Sequence, residues 1–164
     1  MSVEVVGVGN AIVGVIGQVD DEFIEAHGLN RGSMTLIDEP RAEELTGLME
    51  NTLKESGGSA ANTMVGVASF GQTSAYLGKV HNDELGTVFI DDIRKAGVQY
   101  SVTQADAGPA TARCLIQVTN DGQRTMNTVL GASSLLTTAD IDEALVAQAK
   151  ELYCEGYLLS LIHI

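Results

Sequence analysis

The residues best placed to do chemistry cluster at Ser56-Gly57-Gly58-Ser59-Ala60-Ala61-Asn62-Thr63. Two adjacent glycines let a backbone approach a ligand closely. The small residues after them open a helix whose first N–H groups have no partner within it. Asn62 lies about one turn in, where its amide can both donate and accept. That set suits a neutral polyhydroxyl ligand better than a phosphate. The alternative is a small-residue helix packed tightly on a sheet. A second cluster, Gly7-Val8-Gly9-Asn10, follows a strand as a dinucleotide fingerprint would. Its third glycine would fall at Ile12 and no helix follows. The acidic residue that fingerprint needs would end a second strand, whereas Asp38 starts a helix. The cluster therefore reads as a strand-end turn. Cys114 and Cys154 are far apart, and His81 has no His or Cys near it with ligand spacing, so no metal site is expected.

The elements that must position these groups alternate. Val3 to Val8 reads as a buried strand and Ile12 to Val19 as a second. Asp20 to Ala26 is a short helix stopped at Gly28. Ser33 to Ile37 is a strand, and Asp38 caps a helix with Pro40 in its first turn, running to about Leu53. Ser59 to Phe70 is helical with Gly71 at C′. Ala75 to Val80 is a strand, Asn82 caps a helix to about Ala96, and Val98 to Val102 is extended. Arg113 to Thr119 and Arg124 to Leu130 flank Asn120-Asp121-Gly122, a hairpin signal. Thr137 with Asp140 resembles a capping box opening a helix to about Lys150, before a strand at Leu152 to Cys154. Alternating strands and helices predict an α/β fold with a mainly parallel sheet flanked by helices. The hairpin and early strands predict a smaller antiparallel layer beside it.

Composition narrows the partners. The 164 residues are 45% apolar and 19% charged, enough for a packed core in one domain. Aromatics are 4% and Trp is absent, so Val, Leu, Ile, Ala and Met must fill that core. A formal net charge of −13 repels nucleic-acid backbones and anionic membranes. No apolar run approaches the ~20 residues of a membrane span, and the start lacks a basic n-region and apolar h-region. With two scattered cysteines, a cytoplasmic location is expected.

Gly57-Gly58-Ser59-Ala60-Ala61-Asn62, then Gly71, then Gly78-Lys79-Val80-His81-Asn82-Asp83-Glu84-Leu85-Gly86 resembles the N-terminal signature of the ribokinase-like (PfkB-type) sugar and nucleoside kinases. Gly9-Asn10-Ala11-Ile12-Val13 resembles their first strand and turn. Arg124-Thr125-Met126-Asn127 with Gly131-Ala132-Ser133 resembles the adenosine-kinase-like branch. The resemblance runs from about Val3 to Tyr157. It implies ATP-dependent phosphorylation of a hydroxymethyl group on a sugar or nucleoside, with ATP and Mg²⁺ as cofactors. It implies substrate contacts at Asn10, Gly57, Gly58 and Asn62, with Arg124 and Asn127 near the substrate. A small β lid would be built from Ile12 to Val19, Ser33 to Ile37 and the Asn120-Asp121 hairpin, and could support a homodimer. An exposed hairpin charge is the plain alternative for Arg124.

The departures carry expectations too. The family's sugar-holding Asp falls at Gly14, a glycine is replaced by His81, and Met64 stands where a small residue is usual. The family's Asp-Thr-x-Gly-Ala-Gly-Asp, source of anion hole and catalytic base, does not occur, so no catalytic residue is assigned. Residues 1–157 are expected to form the acceptor-binding part. Residues 158–164 read as an atypical tail at a truncation junction. A non-catalytic, decayed or truncated binding fragment is the competing reading.

Overall fold

A computed structural model describes residues 3–158 of the chain. All of the tail read over residues 158–164 except Leu158 lies outside the described residues. In chain order the elements are β1 (Val5–Val8), β2 (Ile12–Gln18), α1 (Asp21–Ala26), β3 (Met34–Leu36), α2 (Glu39–Leu48), β4 (Leu53–Gly57) and α3 (Ser59–Ser69). There follow β5 (Ser74–Leu77), α4 (Glu84–Lys95), β6 (Gln99–Tyr100), β7 (Ala112–Val118), β8 (Arg124–Val129), α5 (Glu143–Gln148) and β9 (Glu151–Cys154).

Two sheets share the work. The first has order β6-β5-β1-β9 with every pairing parallel. Its core is aliphatic around Val6, Met64, Leu77 and Ile93, with Tyr76, Phe89 and Tyr100 in mutual ring contact. The second is the lid, order β3-β8-β7-β2-β4, with β2–β7 and β3–β8 parallel and β2–β4 and β7–β8 antiparallel. The expected lid strands are all in it. It is larger than expected, because the helix read to about Leu53 stops at Leu48 and residues 53–57 form β4. Asn51 turns the chain there with φ +49, the left-handed region that Asn tolerates. Leu-Lys-Glu-Ser has little β propensity of its own, and pairing with β2 overrides it.

β2 shows how the lid gets two faces. Val13 and Val15 are buried on one side, while Ile12, Gly14 and Ile16 alternate onto the other. α2 covers the buried side with Ala42 and Leu45 against Val15, Leu115 and Val129. The other side is left open to a cleft.

Three further boundaries differ from the sequence reading. Asp83, not Asn82, caps α4, its carboxylate accepting the Gly86 N–H at 2.7 Å. The Thr137–Asp140 capping box forms as expected but closes a 3₁₀ turn, Thr138–Asp140. Asp142 then caps the separate α5, accepting from the Leu145 N–H. Met64, the bulky departure from the family pattern, is fully buried, and a Cβ at Gly7 would come within 2.6 Å of its Cγ. The missing side chain on β1 is the space that the thioether fills.

Asp83 gives a test of the loop that carries His81. Its carboxylate also accepts the Thr111 N–H at 2.9 Å and the Thr111 hydroxyl at 2.7 Å, tying the start of α4 to the approach to β7. Burial alone would raise its pKa, but those donors and Gly86 outweigh it and hold the carboxyl below its ordinary value. A depressed folded-state pKa gives stability that is present above the unfolded value and lost as pH falls through the folded one. Asp83→Asn should cost about 1–2 kcal/mol at neutral pH. The gap between wild type and variant should close below about pH 4. Urea unfolding at pH 7 and pH 3 measures both; an unchanged gap at pH 3 would refute the assignment.

Candidate acceptor-binding cleft

The cleft lies under the open face of the lid, at the carboxyl ends of β1 and β9 and the first turn of α3, and encloses about 640 Å³. The first sheet's strand order turns at β1, with β5 on one side and β9 on the other. Open α/β sheets place ligands at such a point. Floor and roof have opposite chemistry. The floor carries Asn10, Gly57, Gly58, Ser59 and Asn62. The roof is mostly apolar, with Ile12, Ile16, Ile116 and Met126 on its inner face beside Arg124 and Thr128, and Met34 and Leu36 at its edge.

On the floor, Gly58 has φ +100 and ψ 141, a backbone state that side chains strongly disfavour. A Cβ there would lie 2.4 Å from the Asn10 carbonyl oxygen. Gly58 is the N-cap of α3 yet offers no side-chain cap. The Ala60 N–H instead donates to Glu155 Oε2 at 3.0 Å, from 95 residues away. Glu155 Oε1 accepts the Asn10 N–H at 2.8 Å. Asn10 is 3% exposed and its Oδ1 is buried with no partner. A buried acceptor beside a cleft without a donor is unsatisfied by the protein, and a ligand hydroxyl would supply the donor. Glu155 is 4% exposed. Burial holds the Tyr76 phenol far above its ordinary value, and the nearby Glu155 charge adds to that.

The residues singled out in the sequence separate. Asn10, Gly57, Gly58, Asn62, Arg124 and Gly14 all line the cleft. Asn127 does not. It sits on the other face of β8, 3% exposed, with its amide 3.0 Å from that of Gln117. The cause is strand alternation: Arg124, Met126 and Thr128 take the cleft face of β8, so Asn127 must point the other way. Arg113 likewise faces away, pairing with Glu39 of α2 at 2.8 Å. His81 lies in the loop before α4, its Nδ1 buried and 3.8 Å from the Asp83 carboxylate. The sequence reading missed Glu155 and Glu55, both cleft-lining. An acid directly after a β strand and before Gly156 was the available signal for the first. The second needed the pairing Gly14↔Glu55, which no local pattern announces.

The result is an α/β chain of two sheets in which the second roofs a cleft with a polar, glycine-built floor. The comparisons carry this further: the family model for pfkB carbohydrate kinases matches residues 30–162. The chain belongs to the pfkB carbohydrate kinase family, and its fold is ribokinase-like. It is similar to the adenosine kinase of Sinorhizobium meliloti, with 47% identity and TM-score 0.89, over 97% of this chain and 49% of that one. A protein of Rhizobium etli CFN 42 described as a probable sugar kinase matches at 46% identity and TM-score 0.89, over 98% of this chain and 49% of that one. The ribokinase of Mus musculus is 31% identical over 101 residues, 60% of this chain and 31% of the mouse protein. The chain thus spans about half the length of these solved relatives. No helix among the described residues is long and apolar enough to cross a membrane.

Proposed function

We propose that residues 1–157 form the acceptor-binding part of an ATP-dependent kinase that phosphorylates a hydroxymethyl group on a sugar or nucleoside. The observation that carries this reading is the buried, unpartnered Oδ1 of Asn10 at the rim of a glycine-built floor. A ligand hydroxyl donates to that oxygen, while Asn62 and the start of α3 hold the neighbouring oxygens. The mostly apolar roof favours a nucleoside, whose base would bury against Ile16, Ile116 and Met126, over a free sugar.

Base-assisted attack on a γ-phosphate needs an anion hole and Mg²⁺. The described residues contain no group of three His, Cys, Asp or Glu side chains that could hold a metal ion. Their part is to bind and orient the acceptor. Gly14 favours a second reading, a non-catalytic or decayed binding fragment, because it lacks the carboxylate that the family places there. Edge strand β3, with exposed Met34 and Leu36, is where a second copy would extend the lid in a homodimer. Cys114 and Cys154 are both free thiols, in keeping with a cytoplasmic setting.

Calorimetric titration of adenosine, ribose and fructose into the purified chain tests the acceptor reading. Adenosine should bind with Kd near about 1 mM, or roughly 4 kcal/mol, and more tightly than either sugar. Absence of binding by all three would refute the acceptor site. In a coupled assay for ADP, residues 1–164 should show no acceptor-dependent turnover. Turnover would require these residues to supply the phosphate-binding and base groups themselves.

A further inference from the structure

The two edges of the lid sheet are held differently. At one edge, Ser33 O and Ile37 N of the β3 segment bond to β8, so strand alternation points the Met34 and Leu36 amides outward. Their side chains are exposed as well. At the other edge, β4 pairs with β2 on its inner side, and α4 packs along its outer side. There the Ser56 N–H points away from β2 and donates to Oδ2 of the half-buried Asp92 at 2.9 Å, from 36 residues away. Lys54, on the same strand, reaches Glu84 in the first turn of α4 at 2.6 Å.

These two contacts differ in weight. Lys54 and Glu84 are both solvent-exposed, and such ion pairs contribute little. The Asp92 bond is charge-assisted and part-buried. Its donor is a backbone amide that pairing with β2 leaves unsatisfied, so the carboxylate removes the cost of an orphaned N–H. Its place in the chain gives it a functional sense. Ser56 directly precedes Gly57 and Gly58, which have no side chains to pack and so cannot hold their own position. The floor must be located from its flanks, and Ser56 is the flank on the lid side.

We propose that Asp92 is a positioning residue: by taking the outward N–H of Ser56 it pins the β4 edge of the lid to α4 and fixes where Gly57 and Gly58 stand beneath the roof. Asp92 does not line the cleft and acts only through Ser56. The lid sheet is thereby held at its β4 edge and open at its β3 edge. The proposal rests on the acceptor reading above only for the identity of the ligand.

Amide hydrogen exchange by NMR on the whole chain reads the anchor without ligand. In wild type the Ser56 amide should be protected about tenfold or more beyond the Met34 and Leu36 amides of the open edge, and equal protection would overturn the proposal. Asp92→Ala should lower Ser56 protection about tenfold while amides of β1 and β5 keep theirs, and should weaken adenosine binding to the folded chain about fivefold. Asp92→Asn keeps an acceptor oxygen, so both readouts should stay within about twofold of wild type. Lys54→Met should also leave both within about twofold, because the exposed ion pair is not the anchor. Equal losses in Asp92→Ala and Asp92→Asn would overturn the proposal, as would a loss in Lys54→Met as large as that in Asp92→Ala. Loss of protection in β1 and β5 alongside Ser56 would mean a general loss of stability and would overturn it too. Unchanged adenosine affinity in Asp92→Ala, where wild type binds, would show that the anchor does not set the floor. If wild type binds no adenosine, the acceptor reading fails, and the exchange data alone decide whether Asp92 holds Ser56. If Asp92→Ala does not fold, the wild-type comparison of Ser56 with Met34 and Leu36 decides it.

Discussion

Gly14→Asp should raise acceptor kcat/KM about a hundredfold or more when these residues are joined to the second half of a pfkB kinase. The position faces the cleft from the middle of β2. A Cβ there would meet Ile116 Cδ1 at 3.5 Å and the Glu55 carbonyl at 3.7 Å, which is ordinary contact, and Gly14 is not among the positive-φ glycines. A Cβ therefore enters without displacing anything. Hydrogen bonds to a charged group contribute roughly 1.5–3 kcal/mol each, so two from ligand hydroxyls give roughly 3–6 kcal/mol, or about two to four decades. Two nearby acids could stand in for the missing carboxylate. Asp20 is too far along the chain: six residues of extended strand separate it from Gly14 by about 20 Å. It is also engaged as the N-cap of α1, accepting the Phe23 N–H at 2.8 Å. Glu55 is the better placed, directly across from Gly14 and lining the same cleft. A new aspartate opposite it would lose up to about 1 kcal/mol to like-charge repulsion, well short of the gain. Glu55→Gln in both backgrounds separates the two. If Gly14→Asp leaves kcat and KM within a factor of about two, and Glu55→Gln removes what activity there is, the carboxylate of this site is Glu55 and the reading of Gly14 fails.

Much of the fold was legible because its signals are local. The hydrophobic period of β1 and β5, the Asp38 cap, the glycines at 71 and 97 with φ +85 and +88, and the Asn120-Asp121-Gly122 turn are each written within a few residues. What was not legible depends on pairing across long separations. β4 exists because Leu53 to Gly57 finds β2, not because its residues prefer a strand. Asn127 was misplaced for the same reason. The motif fixed its position in the chain, but which way it faces follows from the register of β8 on β7 and on β3. Glu155 is the extreme case. Its two bonds span 145 and 95 residues, and nothing short-range distinguishes it from a surface acid after a strand. The candidate floor was readable because one segment supplies most of it; the roof and the group that holds the floor together were not.

The two floor glycines should respond very differently to the same small change. Gly58→Ala should destabilise the chain by about 3 kcal/mol or more, while Gly57→Ala should cost about 1 kcal/mol or less. Gly58 holds φ +100 and ψ 141, and a non-glycine residue there costs of order 1–3 kcal/mol in backbone strain alone. Its Cβ would also stand 2.4 Å from the Asn10 carbonyl oxygen, a backbone atom that cannot rotate away. Relief requires separating the β1–β2 turn from the start of α3, and those are the two segments that Glu155 ties together. At Gly57 the backbone is extended, and the nearest atom to a Cβ is the Ile12 carbonyl at 3.4 Å. A shift of a few tenths of an ångström accommodates that. For a chain of this size about 3 kcal/mol corresponds to a fall in Tm of roughly 6–12 °C. Urea unfolding of the two variants beside wild type measures the difference, and adenosine titration on the folded fraction should show Gly58→Ala losing affinity beyond its loss of folded protein. Equal unfolding midpoints for the two variants would mean that the turn and the helix start can part freely, and the floor of the cleft would then not be a preformed surface.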